Sequence, residues 1–187
     1  MAKSWFNWFD GKNDDEAADR RADVPRPAIA IGPDDIDPMT GALYWKRFQD
    51  MLDAEQARAP GVLLVVDLSE RSNRIRSDDH EKAAEILPWL AQAIRQAIRS
   101  DDLLTHVDGF RFAVLLRGAP QQVGKATCDR ILESVDNTIF MTADGISRLG
   151  VTIGGAVFET DGGREAFATA TNALDRAKRS EQHALLQ

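Results

Sequence analysis

The sequence predicts an α+β domain in which a single, antiparallel-rich sheet is flanked by helices, and three observations carry that expectation. Apolar residues keep helical spacing from about Asp78 to Arg99, giving one long amphipathic helix. Gly61 to Leu68 reads GVLLVVDL, a β-branched and apolar run with the length of a buried strand. Two further strand-like runs meet at Asp108-Gly109, a dipeptide suited to a tight hairpin. With 187 residues, 43% of them hydrophobic, the chain has enough apolar surface for one core plus a tail.

The elements follow in order. Residues 1–35 read as a flexible tail, with an aromatic start at Trp5, Phe6, Trp8 and Phe9 and then a charged, proline-containing stretch; residues 36–187 read as the domain. The four aromatics would gather on one side of a short helix, where they could dock on a protein partner, a membrane interface or the domain itself. Thr40 can cap a helix carrying Leu43, Phe48 and Leu52 that ends near Pro60. The strand to Leu68 and the long helix come next, the latter interrupted only by Pro88. The hairpin pairs Leu103–Val107 with Phe110–Leu116, and a type I′ turn would place both Asp108 and Gly109 at positive φ. A helix from Pro120 to about Val135 precedes strands near Thr138–Met141 and Val151–Glu159, and a last helix carries Phe167, Ala170, Leu174 and Ala177. The order is αβαββαββα, and no repeat of 20 to 50 residues recurs.

Charge and cysteine content exclude several function classes. A net charge of -7 disfavours duplex nucleic acid and anionic membranes as main partners, since both select dense positive charge. The single Cys128 rules out an internal disulfide framework, and no apolar run approaches 20 residues. A cytoplasmic location is expected. His80, His106, His183 and Cys128 show no metal-ligand spacing.

Several motifs in order resemble the GGDEF family, the fold of diguanylate cyclases, over about residues 37–180. Asp37-Pro38-Met39-Thr40-Gly41-Ala42-Leu43 with Phe48 is similar to the family's opening D-x-L-T-G-L-x-N-R-x-x-F. Asp67-Leu68 resembles the start of its metal-binding D-x-D, with Ser69 at the second acid, and His80 falls at the histidine of its G-H pair. Asp108-Gly109-Phe110-Arg111-Phe112 occupies the G-G-D-E-F signature and is followed by Ala113-Val114-Leu115-Leu116. Val151-Thr152-Ile153 matches the start of V-T-x-S-I-G, and Ala177-Lys178 the A-K of the last helix. The resemblance implies a nucleotidyl-cyclase-like sandwich.

It also implies a reaction that this chain is poorly equipped to perform. Family members condense two GTP molecules held across a dimer, with divalent metal on the phosphates, and hard cations such as Mg²⁺ need carboxylate oxygens. Asp67 survives, but Phe110 and Arg111 stand at the two acidic signature positions. Exchanging attraction for repulsion against a divalent ion at about 4 Å is worth several kcal/mol at an effective dielectric near 20. The guanine-reading positions hold Ile75 and Ala84, Tyr44-Trp45-Lys46 replace x-Asn-Arg, and Lys178 remains as a phosphate lysine. Asp67, Leu68, Asp108, Gly109, Phe110, Arg111, Phe112 and Lys178 therefore form a vestigial active site, with no catalytic residue and no metal assigned. Arg111 could instead grip a phosphate directly.

The family's inhibitory product site, R-x-x-D, has a counterpart in Arg99-Ser100-Asp101-Asp102, and Arg130 matches the spacing of a second arginine. Arginine can fork onto guanine or phosphate, and aspartate can accept from guanine N1 and N2. The same residues also suit a helix end followed by a turn. The leading expectation is a catalytically inactive receptor or scaffold binding cyclic di-GMP through Arg99, Asp102 and Arg130, with a protein partner reached through the tail or domain surface, and a homodimer as a further form. Two alternatives stand: an atypical active diguanylate cyclase, which alone would need Mg²⁺, and an interaction module that binds no nucleotide.

Overall fold

A computed structural model describes residues 30–56, 59–69, 72, 80–142, 145–159 and 163–187. After a 3₁₀ turn at Pro33–Asp35, the elements are α1 (Trp45–Gln56), β1 (Gly61–Leu68), α2 (His80–Ala97), β2 (Leu103–Asp108), β3 (Arg111–Arg117), α3 (Gln121–Asn137), β4 (Phe140–Thr142), β5 (Gly145–Ser147), β6 (Val151–Phe158), α4 (Gly163–Arg179) and β7 (Ala184–Leu186). The main sheet runs β2-β3-β1-β6-β7, antiparallel except for the parallel β6–β7 pair, and β4–β5 form a separate ribbon. The α+β architecture is as the sequence predicts.

Strand β1 is buried along its whole length because helices cover both sheet faces. Its side chains alternate between two cores. Val62, Leu64, Val66 and Leu68 join residues of α2 and α3, including Leu90, Ile94 and Ile131. Leu63 and Val65 face the other way, toward Phe48 and Met51 of α1 and Ala170 and Leu174 of α4. Trp45 packs against Phe48 and Phe167, with ring centroids 5.8 and 4.7 Å away, and so ties α1 to α4. Helix α4 lies directly on β6 at Gly154, where a β-carbon would collide with the backbone of Leu174 and Ala170.

Four local expectations need correction. The first helix starts at Trp45 and not after Thr40. Asp37 accepts hydrogen bonds from the Thr40 hydroxyl (2.6 Å) and the Met39 amide, Gly41 turns the chain at φ +66°, and Leu43 bonds to Leu104 and Thr105 at the sheet edge. Leu43 is thus extended because its backbone groups belong to the sheet. The hairpin turn is displaced by one residue: Asp108 pairs with Arg111, a bulge lies between His106 and Asp108, and only Gly109 of the turn has positive φ, +48°. That φ pattern suits a type II′ turn better than type I′. The strand after α3 forms a ribbon with a further short strand, β5, that the sequence reading lacked. Finally, β7 adds an edge strand whose short, weakly alternating sequence gave no signal.

Candidate functional site

Alternation explains how Asp67, Arg111 and Lys178 assemble. Asp67 is in phase with Leu63 and Val65, so its side chain faces α4; Arg111 is in phase with Ala113 and Leu115 on the same sheet face. The β1–β3 register, extended by one pair, sets Asp67 opposite Arg111. Asp67 is 2% exposed. Its Oδ2 accepts a 2.8 Å hydrogen bond from Lys178 Nζ on α4 and lies 3.8 Å from Arg111 Nη2, while Oδ1 accepts the Leu68 amide at 2.8 Å. Arg111 also approaches Asp108 at 3.9 Å. The strand-end carboxylate is therefore enclosed by two cations.

The remaining signature residues divide by face. Phe110 and Phe112 are buried with the α2–α3 core, as is Leu68 from β1. The aromatic at the third signature position is thus a core side chain. Ala84 is exposed on α2, while Ile75 and the side chain of His80 lie outside the described residues. His106 Nε2 is 2.8 Å from the Gly109 carbonyl, and its ring packs on Phe112. Burial pushes the Cys128 thiol up to about 12, with Asp129 adding to the effect. A divalent ion would need several oxygen ligands. The arrangement offers Asp67, already matched by Lys178 and Arg111, and the described residues contain no group of three or more His, Cys, Asp or Glu placed to hold a metal. This donor set does not fit magnesium.

Beside Lys178 opens a pocket of about 300 Å³ lined by Ser69, Thr152, Arg179, Glu181, Gln182 and His183. Ser69 Oγ is buried with no hydrogen-bond partner. The sequence reading missed this lining apart from Lys178. Ser69, at the second acid of the D-x-D motif, and Thr152, in the V-T motif, were the signals present, but they lie on distant strands and no local spacing joins them to Lys178. Lys178, already paired with Asp67, Arg179 and the Ser69 and Thr152 hydroxyls share this lining with the Glu181 carboxylate.

At the opposite end of α2, the structure places Arg99, Asp102 and Arg130 around one turn. Asp102, 2% exposed, accepts the Arg99 amide at 3.0 Å and the Arg117 amide at 3.3 Å. Arg130 donates to the Ala97 carbonyl at 3.1 Å and to the Thr127 hydroxyl at 3.0 Å, closing the helix end. Arg99 is exposed two residues further on. A groove of about 370 Å³ adjoins this turn, with Arg95, Asp101, Asp102 and Arg117 in its lining. Burial lowers the Arg95 pKa, opposed by Asp102. Trp5, Phe6, Trp8 and Phe9 lie outside the described residues. No described helix is long and apolar enough to cross a membrane.

Comparison with known proteins follows this geometry. Residues 34–184 match the family described as diguanylate cyclase, GGDEF domain. Among curated proteins, the probable diguanylate cyclase DgcT of Escherichia coli (strain K12) is 27% identical over 152 residues, covering 76% of this chain and 33% of DgcT. The chain thus spans about one third of that relative's length. Among solved structures, the GGDEF domain of FimX from Pseudomonas aeruginosa superposes with a TM-score of 0.73 at 22% identity, covering 82% of this chain and 99% of that one. The coiled coil and GGDEF domain of DgcB from Caulobacter crescentus, solved in complex with c-di-GMP, gives 0.73 at 18% identity over 82% and 86% of the two chains. Diguanylate cyclase SiaD from Pseudomonas aeruginosa, solved with its activator SiaC, gives 0.74 at 21% identity over 81% and 61%.

Proposed function

The chain belongs to the GGDEF family, and on that premise we propose that it is a catalytically inactive member acting as a cyclic di-GMP receptor or signalling scaffold. The observation that carries the loss of catalysis is the pairing of Asp67 with Lys178 at 2.8 Å and Arg111 at 3.8 Å. Diguanylate cyclase chemistry needs metal charge against the GTP phosphates. In this chain a protein guanidinium stands beside the strand-end carboxylate, and Lys178 is drawn into the same ion cluster. A turnover assay with GTP and Mg²⁺ or Mn²⁺ is expected to yield no cyclic di-GMP. Product formation that Asp67→Asn abolishes would overturn this reading.

The receptor reading is supported by Arg99 and Arg130 lying at the same helix end, Arg130 through its bonds to Ala97 and Thr127 and Arg99 through its amide on Asp102, since arginine suits phosphate and guanine groups. Asp102 then acts by shaping the turn, because its oxygens already accept two backbone amides. DgcB, solved with c-di-GMP, and SiaD, solved with a protein activator, lend weight to nucleotide and protein partners respectively. Calorimetry should show heat with cyclic di-GMP that Arg99→Ala removes. A wild-type protein giving no heat at high micromolar ligand would leave the nucleotide-independent interaction module as the function.

A further inference from the structure

The β4–β5 ribbon buries one face and exposes the other. Phe140 is fully buried, whereas Met141 and Ile146, directly paired across the ribbon, are 71% and 73% exposed. Ile139, two residues before Met141 and so on the same outward side, is 57% exposed. Helix α2 lies against β4 and continues this surface. Arg130 bonds to the Ala97 carbonyl and Ser134 to the Ala93 carbonyl, so α2 and α3 run antiparallel in steps of four residues. One more step sets Trp89, 53% exposed, beside residue 138 and next to Ile139. Among the described strands β5 pairs only with β4, so the far edge of the ribbon is open as well.

We propose that a second copy of the chain docks on this face, the two copies related by a two-fold axis running along the ribbon. Area favours a copy over an unlike surface. At these exposures the four side chains offer about 350 Å² of apolar surface, taking about 110 Å² for a fully exposed Ile or Met and about 220 Å² for Trp. Against a polar surface that falls short of a stable contact. Against its own copy it doubles to about 700 Å², and at the roughly 60% apolar share of interfaces this implies about 1,200 Å² buried in all, the lower end of specific assemblies. Such a dimer is weak, with a dissociation constant on the order of tens of micromolar. Charge selects the axis. Among the described charges around the face, Arg148 is exposed on the β5 side, opposite Ile139 when the ladder is extended by one pair. Glu133 and Asp136 are exposed on the helical side, where Glu85 lies one turn before Trp89. An axis along the ribbon lays the β5 side of each copy over the helical side of the other, so Arg148 meets these acids twice. The net charge of -7 opposes the pairing, which agrees with a weak contact.

The test is sedimentation of the full chain, without nucleotide or metal, over concentrations from about 1 to about 500 µM, a range that brackets the expected constant. The average mass should rise from monomer toward dimer. Combining Met141→Ser with Ile146→Ser removes four apolar contacts per dimer and should raise the dissociation constant on the order of a hundredfold or more. Both side chains are exposed, so the urea midpoint of the double variant should stay that of the wild type. Charge gives a second arm. Arg148→Glu alone and Asp136→Lys alone should each weaken self-association, whereas an equimolar mixture of the two variants should associate more tightly than either, because the mixed pair has opposite charges at both contacts. A wild type that stays monomeric at the highest concentration overturns the proposal. So does a dimer whose affinity the ribbon variant leaves unchanged, since that dimer uses another surface. A mixture no tighter than the single variants overturns the two-fold arrangement, and with it the match of copy to copy.

Discussion

Replacing Lys178 by methionine isolates the ion cluster around Asp67. Methionine keeps most of the stem packing and removes the charge. At 2.8 Å and an effective dielectric near 20, the lost attraction to Asp67 is about 6 kcal/mol gross, most of it offset by no longer desolvating the ammonium. Removing one partner of a buried pair costs about 3–5 kcal/mol. Two features reduce that figure. The Lys178 side chain is 14% exposed beside a pocket that admits water, and Arg111 remains at 3.8 Å. A destabilisation of about 2 kcal/mol is expected, lowering the urea midpoint by about 1 M at an unchanged slope of about 2 kcal/mol/M. Adding Asp67→Asn should recover most of the loss, because the uncompensated charge disappears. A midpoint unmoved by Lys178→Met would refute the argument. So would a double variant as unstable as the two single losses summed, because independent sites add and paired charges do not.

The remaining expectations use the same reasoning elsewhere. Gly154→Ala should destabilise by about 3 kcal/mol or more in urea unfolding, because the new methyl meets the α4 backbone, which cannot yield as a side chain would. A loss below about 1 kcal/mol would mean that α4 can shift off the sheet. Asp102→Ala should cost about 2 kcal/mol by releasing the Arg99 and Arg117 amides, so any effect on ligand binding must be measured where the variant remains folded. Unchanged stability would mean that the turn does not depend on this carboxylate. For Asp37, burial raises the carboxyl pKa, but hydrogen bonds from Thr40 and Met39, aided by His106, lower it further than burial raises it. A folded pKa below the unfolded value contributes stability above the unfolded pKa, near 3.9, and loses it as pH falls through the folded value. Asp37→Asn should therefore reduce the loss of stability on acidification below about pH 4, and an identical acid limb in the variant would contradict this assignment.

Much of the fold was legible because neighbouring residues encode it. Gly61–Leu68 could only be a buried strand, and the spacing of Ile86, Leu90 and Ile94 could only serve one face of a helix. Leu43 was misread for a physical reason: Thr40 reads as a helix cap, yet Leu43 gives its backbone bonds to β2. The hairpin position was visible in Asp108-Gly109, but the bulge after His106 moved the turn by one residue. Strands β5 and β7, three residues each, are too short to show a period.

By itself, the sequence determined the fold class and the replacement of both signature acids, by Phe110 and Arg111. Only the tertiary structure decided which charges meet. Lys178 reaches Asp67 across 111 residues of chain, and Asp102 turns inward to accept backbone amides while Arg130 caps the helix end at Ala97. Local periodicity is set by covalent neighbours, and it fixes a side chain's face. Its partner is set by strand register and helix docking, which depend on the packing of the whole core.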